Sequence, residues 1–185
     1  MPLVGHFDMS FLEKDIEDII FEAIQTQEGG HILAERGLSI DAGIMCPYFR
    51  SKRQLEIGNY GICDIITISK ENSLFVRNRL YQPLLHIEII EIKKGEVNLD
   101  TMLQVCRYAK GVERYMKAFH PRLKFSISTT MIGRSVNALE WIFLFERDKR
   151  SRILTYEYNM DGIQFNEQSG FFKAGENWGR KKKSR

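Results

Sequence analysis

The stretch His86-Ile87-Glu88-Ile89-Ile90-Glu91-Ile92-Lys93-Lys94-Gly95 limits this chain more than any other. It reads as an oily strand, and side chains alternate across a strand. Ile87, Ile89, Glu91 and Lys93 therefore share one face, and Glu88, Ile90, Ile92 and Lys94 share the other. Burying even the root of a carboxylate and an ammonium costs several kcal/mol unless something is gained. Either Glu91 and Lys93 neutralise each other inside the fold, or they hold a metal and a reactive water. Glu88 and Lys94, on the opposite face, drop out of such a site.

Around this strand the periodicity predicts further elements. Leu12, Ile16, Ile19, Ile20, Ala23 and Ile24 recur at helical spacing over residues 10–28, with Ser10 as N-cap, Glu13 three residues on, and Gly29-Gly30 as the stop. Gly58, Asn59 and Gly61 punctuate a hairpin whose second strand is 62–68. Residues 70–83 read as a strand or loop excursion, and Pro83 enters the strand at 84–93. Residues 99–118 return to helical spacing until Pro121, and 125–129 alternate as a strand. The apolar run 136–147 is assigned to a crossover helix, 152–158 to a strand, and Gly162 onward to the periphery. The order indicates an α/β sandwich on a mixed sheet.

With 185 residues, 43% of them hydrophobic, the chain suits a single domain over 1–178. No apolar run approaches the roughly 20 residues needed to span a bilayer, and a secretory leader pattern is missing. The expectation is a cytoplasmic protein with no membrane partner. Cys46, Cys63 and Cys106 show no CxxC pairing and are expected to be reduced, buried or half-buried small hydrophobes. The formal charge of +3 is concentrated at the end: residues 179–185 form a basic tail holding five of the 27 Lys and Arg. Setting those five aside leaves 22 basic against 24 acidic residues, a net −2. Such a tail can touch phosphates non-specifically, or simply remain a solvated end.

Asp64 in Gly61-Ile62-Cys63-Asp64-Ile65-Ile66 is a second carboxylate set in an apolar strand. If its strand pairs with 84–93, Asp64 and Glu91 meet on one face. Two repelling carboxylates make a receptive cage for a hard divalent cation with oxygen ligands, magnesium above all. Lys93 would lie beside it as a compact charge, and Gln104 on the next helix could orient that lysine or a water. Structural readings stand beside these: an ion pair for Glu91 and Lys93, a turn cap for Asp64, a capping box with Ser10 for Glu13, a solvated position for Gln104 and core packing for Tyr108. Trp141, Phe143 and Phe145 read as core, and His6, His31, His86 and His120 receive no role.

Gly61-Ile62-Cys63-Asp64, then Glu91-Ile92-Lys93-Lys94-Gly95, then Gln104-Val105-Cys106-Arg107-Tyr108 resembles the three-part signature of the PD-(D/E)XK nuclease superfamily, in its RecB-like and NucS-like branch. The resemblance covers about residues 11–130 and leaves about 131–178 as a C-terminal α/β extension. It implies a restriction-endonuclease-like α-β-β-β-α-β core and a magnesium-dependent phosphodiesterase acting on nucleic acid, DNA more than RNA, with manganese as a substitute. It further implies Asp64, Glu91 and Glu13 as metal ligands, with the Ile92 carbonyl completing the shell. Lys93, Gln104 and Glu13 would be catalytic, and Arg53, Arg107 and Tyr108 would contact substrate. Glu13 ranks above Glu17, which is expected to point further off the apolar stripe. No separate DNA-binding domain is expected ahead of residue 10, and specificity would then come from the domain itself, a homodimer or a protein partner. The alternative is a non-catalytic nucleic-acid- or protein-binding module that retains the nuclease fold.

Overall fold

The computed structural model describes residues 13–40, 49–71, 84–137, 151–160 and 162–168. Ser10, Cys46, the 72–83 excursion, the aromatic residues at 141–145 and the basic tail lie outside the described residues. In chain order the elements are helices α1 (Glu13–Ala23) and α2 (Gln27–Glu35), strands β1 (Phe49–Glu56), β2 (Ile62–Glu71), β3 (Leu84–Ile92) and β4 (Glu96–Val97), and helix α3 (Leu99–Phe119). Strands β5 (Lys124–Gly133), β6 (Ser135–Val136), β7 (Ser151–Asn159) and β8 (Gly162–Glu167) follow.

Six strands form one mixed sheet in the order β1-β2-β3-β5-β7-β8, while β4 and β6 make a short parallel pair. The β1-β2-β3 meander is antiparallel; β3-β5 and β5-β7 are parallel, and β7-β8 is antiparallel. A parallel pair needs a crossover, and α3 supplies it between β3 and β5. Asn98 starts that helix: its side chain accepts from the Thr101 N–H, and Thr101 answers the Asn98 N–H.

The four isoleucines of β3 have a simple cause. Ile87, Ile89, Ile90 and Ile92 are each at most 1% exposed because β3 is central and covered on both faces. On one face α1, α2 and the corner between them pack Ile16, Ile20, Ile24 and Leu33 onto Ile65, Ile90, Ile92, Ile132 and Leu154. On the other, Tyr108, Val112 and Met116 of α3 cover Cys63, Ile66, Ile87 and Ile89. Each such side chain removed from water contributes about 1.5–3 kcal/mol. Glu88 lies on the α1 face, where its buried carboxylate accepts from the Thr130 hydroxyl at 2.6 Å and from Arg152 at 2.5 Å. Paired and hydrogen-bonded, it is a tolerable buried charge.

Three expectations are corrected. The helix expected over 10–28 ends at Ala23, and Gly29-Gly30 lies inside α2 instead of stopping α1. Thr26 caps α2 by accepting from the Gly29 N–H, and a Cβ on Gly29 would collide with the Ala23 carbonyl, so glycine permits the tight corner. Residues from Gly162 are not peripheral: β8 is an edge strand, and alternate residues Ile163 and Phe165 enter the main core. The Phe165 N–H also donates to the Arg36 carbonyl at 2.7 Å, tying β8 to the end of α2. Phe165→Leu is accordingly expected to cost about 1–2 kcal/mol in urea unfolding, an effect that a frayed terminal strand would not show. Third, Cys106 is exposed, whereas Cys63 is fully buried, with its thiol pushed up to about 12 chiefly by burial. Of the run assigned to a crossover helix, Val136 belongs to β6 and 138–147 lies outside the described residues.

Candidate active site

The β2-β3 register pairs Ile65 with Ile90, so the next step along both strands sets Asp64 against Glu91. The Asp64 carboxylate turns onto the neighbouring strand, where its Oδ2 accepts from the Ile92 N–H at 2.7 Å. Glu91, 1% exposed, accepts through Oε1 from the Lys93 ammonium at 2.7 Å. Its Oε2 is buried with no hydrogen-bond partner among the described residues. Such an atom forfeits its hydration with nothing in return, and in a native fold that calls for an explanation.

Helix α1 brings two more acids to the same end of the sheet. The Glu13 carboxylate accepts from the Lys94 N–H at 3.2 Å, and the Tyr156 hydroxyl donates to the Lys94 carbonyl at 2.7 Å. Glu17 accepts from the Gln54 side-chain amide at 2.7 Å, and the same amide nitrogen reaches Asp64 Oδ1 at 3.3 Å. Glu17 does not point off the apolar stripe as expected. It is 7% exposed, whereas Glu13 is half-buried. The inward direction of α1 is set by Ile16, Ile20 and Ile24, while Ile19 and Ala23 are only partly buried. That rotation carries Glu17 inward together with Glu13.

The electrostatics follow from this crowding. Burial, then the Asp64 charge, pushes Glu91 up to about 7 against the opposing pull of Lys93. Burial likewise raises Asp64 and Glu17. For Lys93, burial alone would lower the pKa, but the bond to Glu91 and the charges of Glu91, Glu13 and Asp64 outweigh it, so the ammonium is held above the ordinary lysine value. Lys93 is thus a fixed cation at neutral pH.

The remaining sequence candidates have other neighbours. Gln104 donates to the Tyr108 hydroxyl at 2.6 Å, and that hydroxyl donates to the Ile62 carbonyl at 2.6 Å. Tyr108 is 2% exposed and packs in the α3-side core. Gly61 is needed there: its φ is +113°, and a Cβ would sit 2.9 Å from the tyrosine ring. Gln104 and Tyr108 therefore brace the β2 backbone just before Asp64. Arg53 is ion-paired with Asp18 and lies over the Phe21 ring, 5.3 Å from its centroid, while Arg107 is exposed on α3.

Gln54 was not legible as a site residue, since a polar residue on an exposed strand carries no signal of its own. Its backbone distinguishes it: φ is +48°, the only positive value at a non-glycine among the described residues. The left-handed conformation costs a side-chain-bearing residue roughly 1–2 kcal/mol. Gln54→Gly is therefore expected to be more stable than Gln54→Ala by about 1 kcal/mol in thermal unfolding, both variants lacking the amide. Equal stability of the two would remove the case for strain.

Asp64, Glu91, Glu13 and Glu17 supply hard oxygen donors of the kind magnesium and manganese prefer. Among the described residues no three His, Cys, Asp or Glu side chains are gathered into a preformed metal cage, and N–H donors engage each of the four carboxylates. No helix among the described residues is long and apolar enough to cross a membrane. No family model, curated protein or solved structure matches the chain.

Proposed function

We propose that the chain is a metal-dependent nuclease that hydrolyses phosphodiester bonds in nucleic acid, DNA in preference to RNA. One observation carries this reading: Glu91 is buried with an unpartnered oxygen, beside Asp64 in the strand register and bonded to Lys93. A divalent cation would satisfy that oxygen and relieve the repulsion that holds Glu91 up. The order α1, β1, β2, β3, α3, β5 also supports the restriction-endonuclease-like core that the sequence resemblance implies.

Asp64 and Glu91 would hold magnesium or manganese, with the Ile92 carbonyl and Glu13 as further oxygen donors. When bound, the cation supplies a Lewis acid that makes a water acidic and neutralises charge at phosphorus. The protein's own groups do the rest. Lys93, kept protonated by its acidic neighbours, positions the attacking water and faces the charge that develops on the phosphoryl oxygens. The Gln104–Tyr108–Ile62 chain fixes the strand that presents Asp64. Arg107 is exposed on α3 and would meet substrate phosphate as a screened contact.

The test is a cleavage screen over single-stranded, duplex and branched DNA and over RNA, with magnesium and with manganese and with Lys93→Ala as control. Cleavage that needs both the cation and Lys93 supports the reading. The engagement of every carboxylate by an N–H donor favours a second reading, a non-catalytic binding module on the same fold. That module predicts no manganese binding in calorimetric titration and no cleavage of any substrate.

A further inference from the structure

We infer that Gln54 is a neutral spacer that keeps a second divalent cation out of the gap between Glu17 and Asp64, so that the site takes one cation per chain. The inference rests on the metal-dependent reading above and goes on to its stoichiometry. Four acids from α1, β2 and β3 stand at this end of the sheet, although no three of them form a preformed cage. Between two of them the structure places an uncharged amide nitrogen, with one hydrogen for each: 2.7 Å to Glu17 and 3.3 Å to Asp64. A bridging divalent cation would need both oxygens at about 2.0–2.6 Å, from the position the amide nitrogen already occupies.

The backbone shows that this placement is built in. Residues on either side of Gln54 keep the β1-β2 register, Arg53 with Ile65 and Leu55 with Cys63, so the left-handed excursion is confined to one residue. Gln54 is exposed, so core packing does not hold it in that conformation. Its two side-chain bonds are what the conformation secures. Asp64 keeps lone pairs for a cation on the Glu91 side, because each carboxylate oxygen can accept twice. The Glu17 side is closed. Gln54 is thus a positioning residue: it acts through Asp64 and Glu17.

The experiment is calorimetric titration of the full chain with manganese. Wild type is expected to bind one equivalent, lost in Asp64→Asn. Gln54→Ala and Gln54→Gly are expected to bind two, and the added equivalent should vanish in Gln54→Gly/Glu17→Gln. The glycine variant accepts φ +48° without strain, so a folding defect in Gln54→Ala leaves the test intact. Two equivalents in wild type, or one in both Gln54 variants, would overturn the spacer while leaving the nuclease reading standing. Absence of manganese binding in every form overturns both. A purely structural strut would change the melting temperature alone and leave the stoichiometry at one.

Discussion

Lys93→Ala is expected to lower magnesium-dependent cleavage by about 10³-fold or more, while far-ultraviolet circular dichroism and the cooperative unfolding transition persist. The size follows from what is removed: a preorganised cation, part-buried with its side chain 26% exposed and bonded to Glu91, where one such electrostatic donor is worth about 10²–10³ in rate. Positioning of the water is lost at the same time. Asp64→Asn should match it in cleavage for a different reason, since a neutral amide oxygen is a poorer ligand than a carboxylate. It also loses the strong charge-assisted acceptor for the Ile92 N–H. A purified Lys93→Ala protein that cleaves at the wild-type rate would sink the mechanism. Arginine at 93 is a useful third variant: a bulky planar fork keeps the charge but not its compact position, so partial recovery at best is expected.

The metal-free protein should lose stability as pH rises from about 5 to 7.5. In the unfolded chain Glu91 titrates near its ordinary value of 4.5, and in the fold at about 7. Between those values the folded state keeps a proton that the unfolded state has released. Unfolding therefore releases protons, and the free energy of unfolding falls with rising pH. The contribution is fully present below about 4.5 and gone above about 7. For a side chain this buried, the difference amounts to about 3 kcal/mol. Asp64 and Glu17, both raised by burial, act with the same sign. Lys93, raised from 10.5, has the same sign but acts far above this window. Urea titrations at several pH values measure the slope, and Glu91→Gln should flatten it while raising stability at pH 7.5. A flat profile in wild type would show that Glu91 is solvated or otherwise paired. Adding manganese at pH 7.5 should restore what deprotonation removed, by mass action on the folded state.

Much of the architecture was legible because its elements are strongly periodic. The hairpin, the strand with its four isoleucines and the long capped helix after it sit where spacing and punctuation put them. Gly29-Gly30 misled because a glycine that ends a helix and one that lets two helices touch look alike in one dimension; only the approach of Ala23 separates them. The strand at Gly162 was missed because its two core residues, Ile163 and Phe165, are too few to register as a pattern, and its tie to Arg36 is remote in sequence. The candidate site was readable where charge interrupts an apolar strand, as at Asp64 and Glu91. Glu17 was weighed but ranked below Glu13, and Gln54 was not seen at all, because its partner Glu17 lies 37 residues away.

The Lys94 backbone is gripped on both sides, its N–H by Glu13 of the first helix and its carbonyl by Tyr156 of β7, two strands over from β3 in the main sheet. That crossbar ties local opening to chemistry. If the first helix lifts from the sheet, Glu13 leaves Lys94 and Glu17 leaves Gln54 in one motion, and two of the four acids depart together. Amide hydrogen exchange along that helix becomes a direct gauge of how often the acid cluster is assembled.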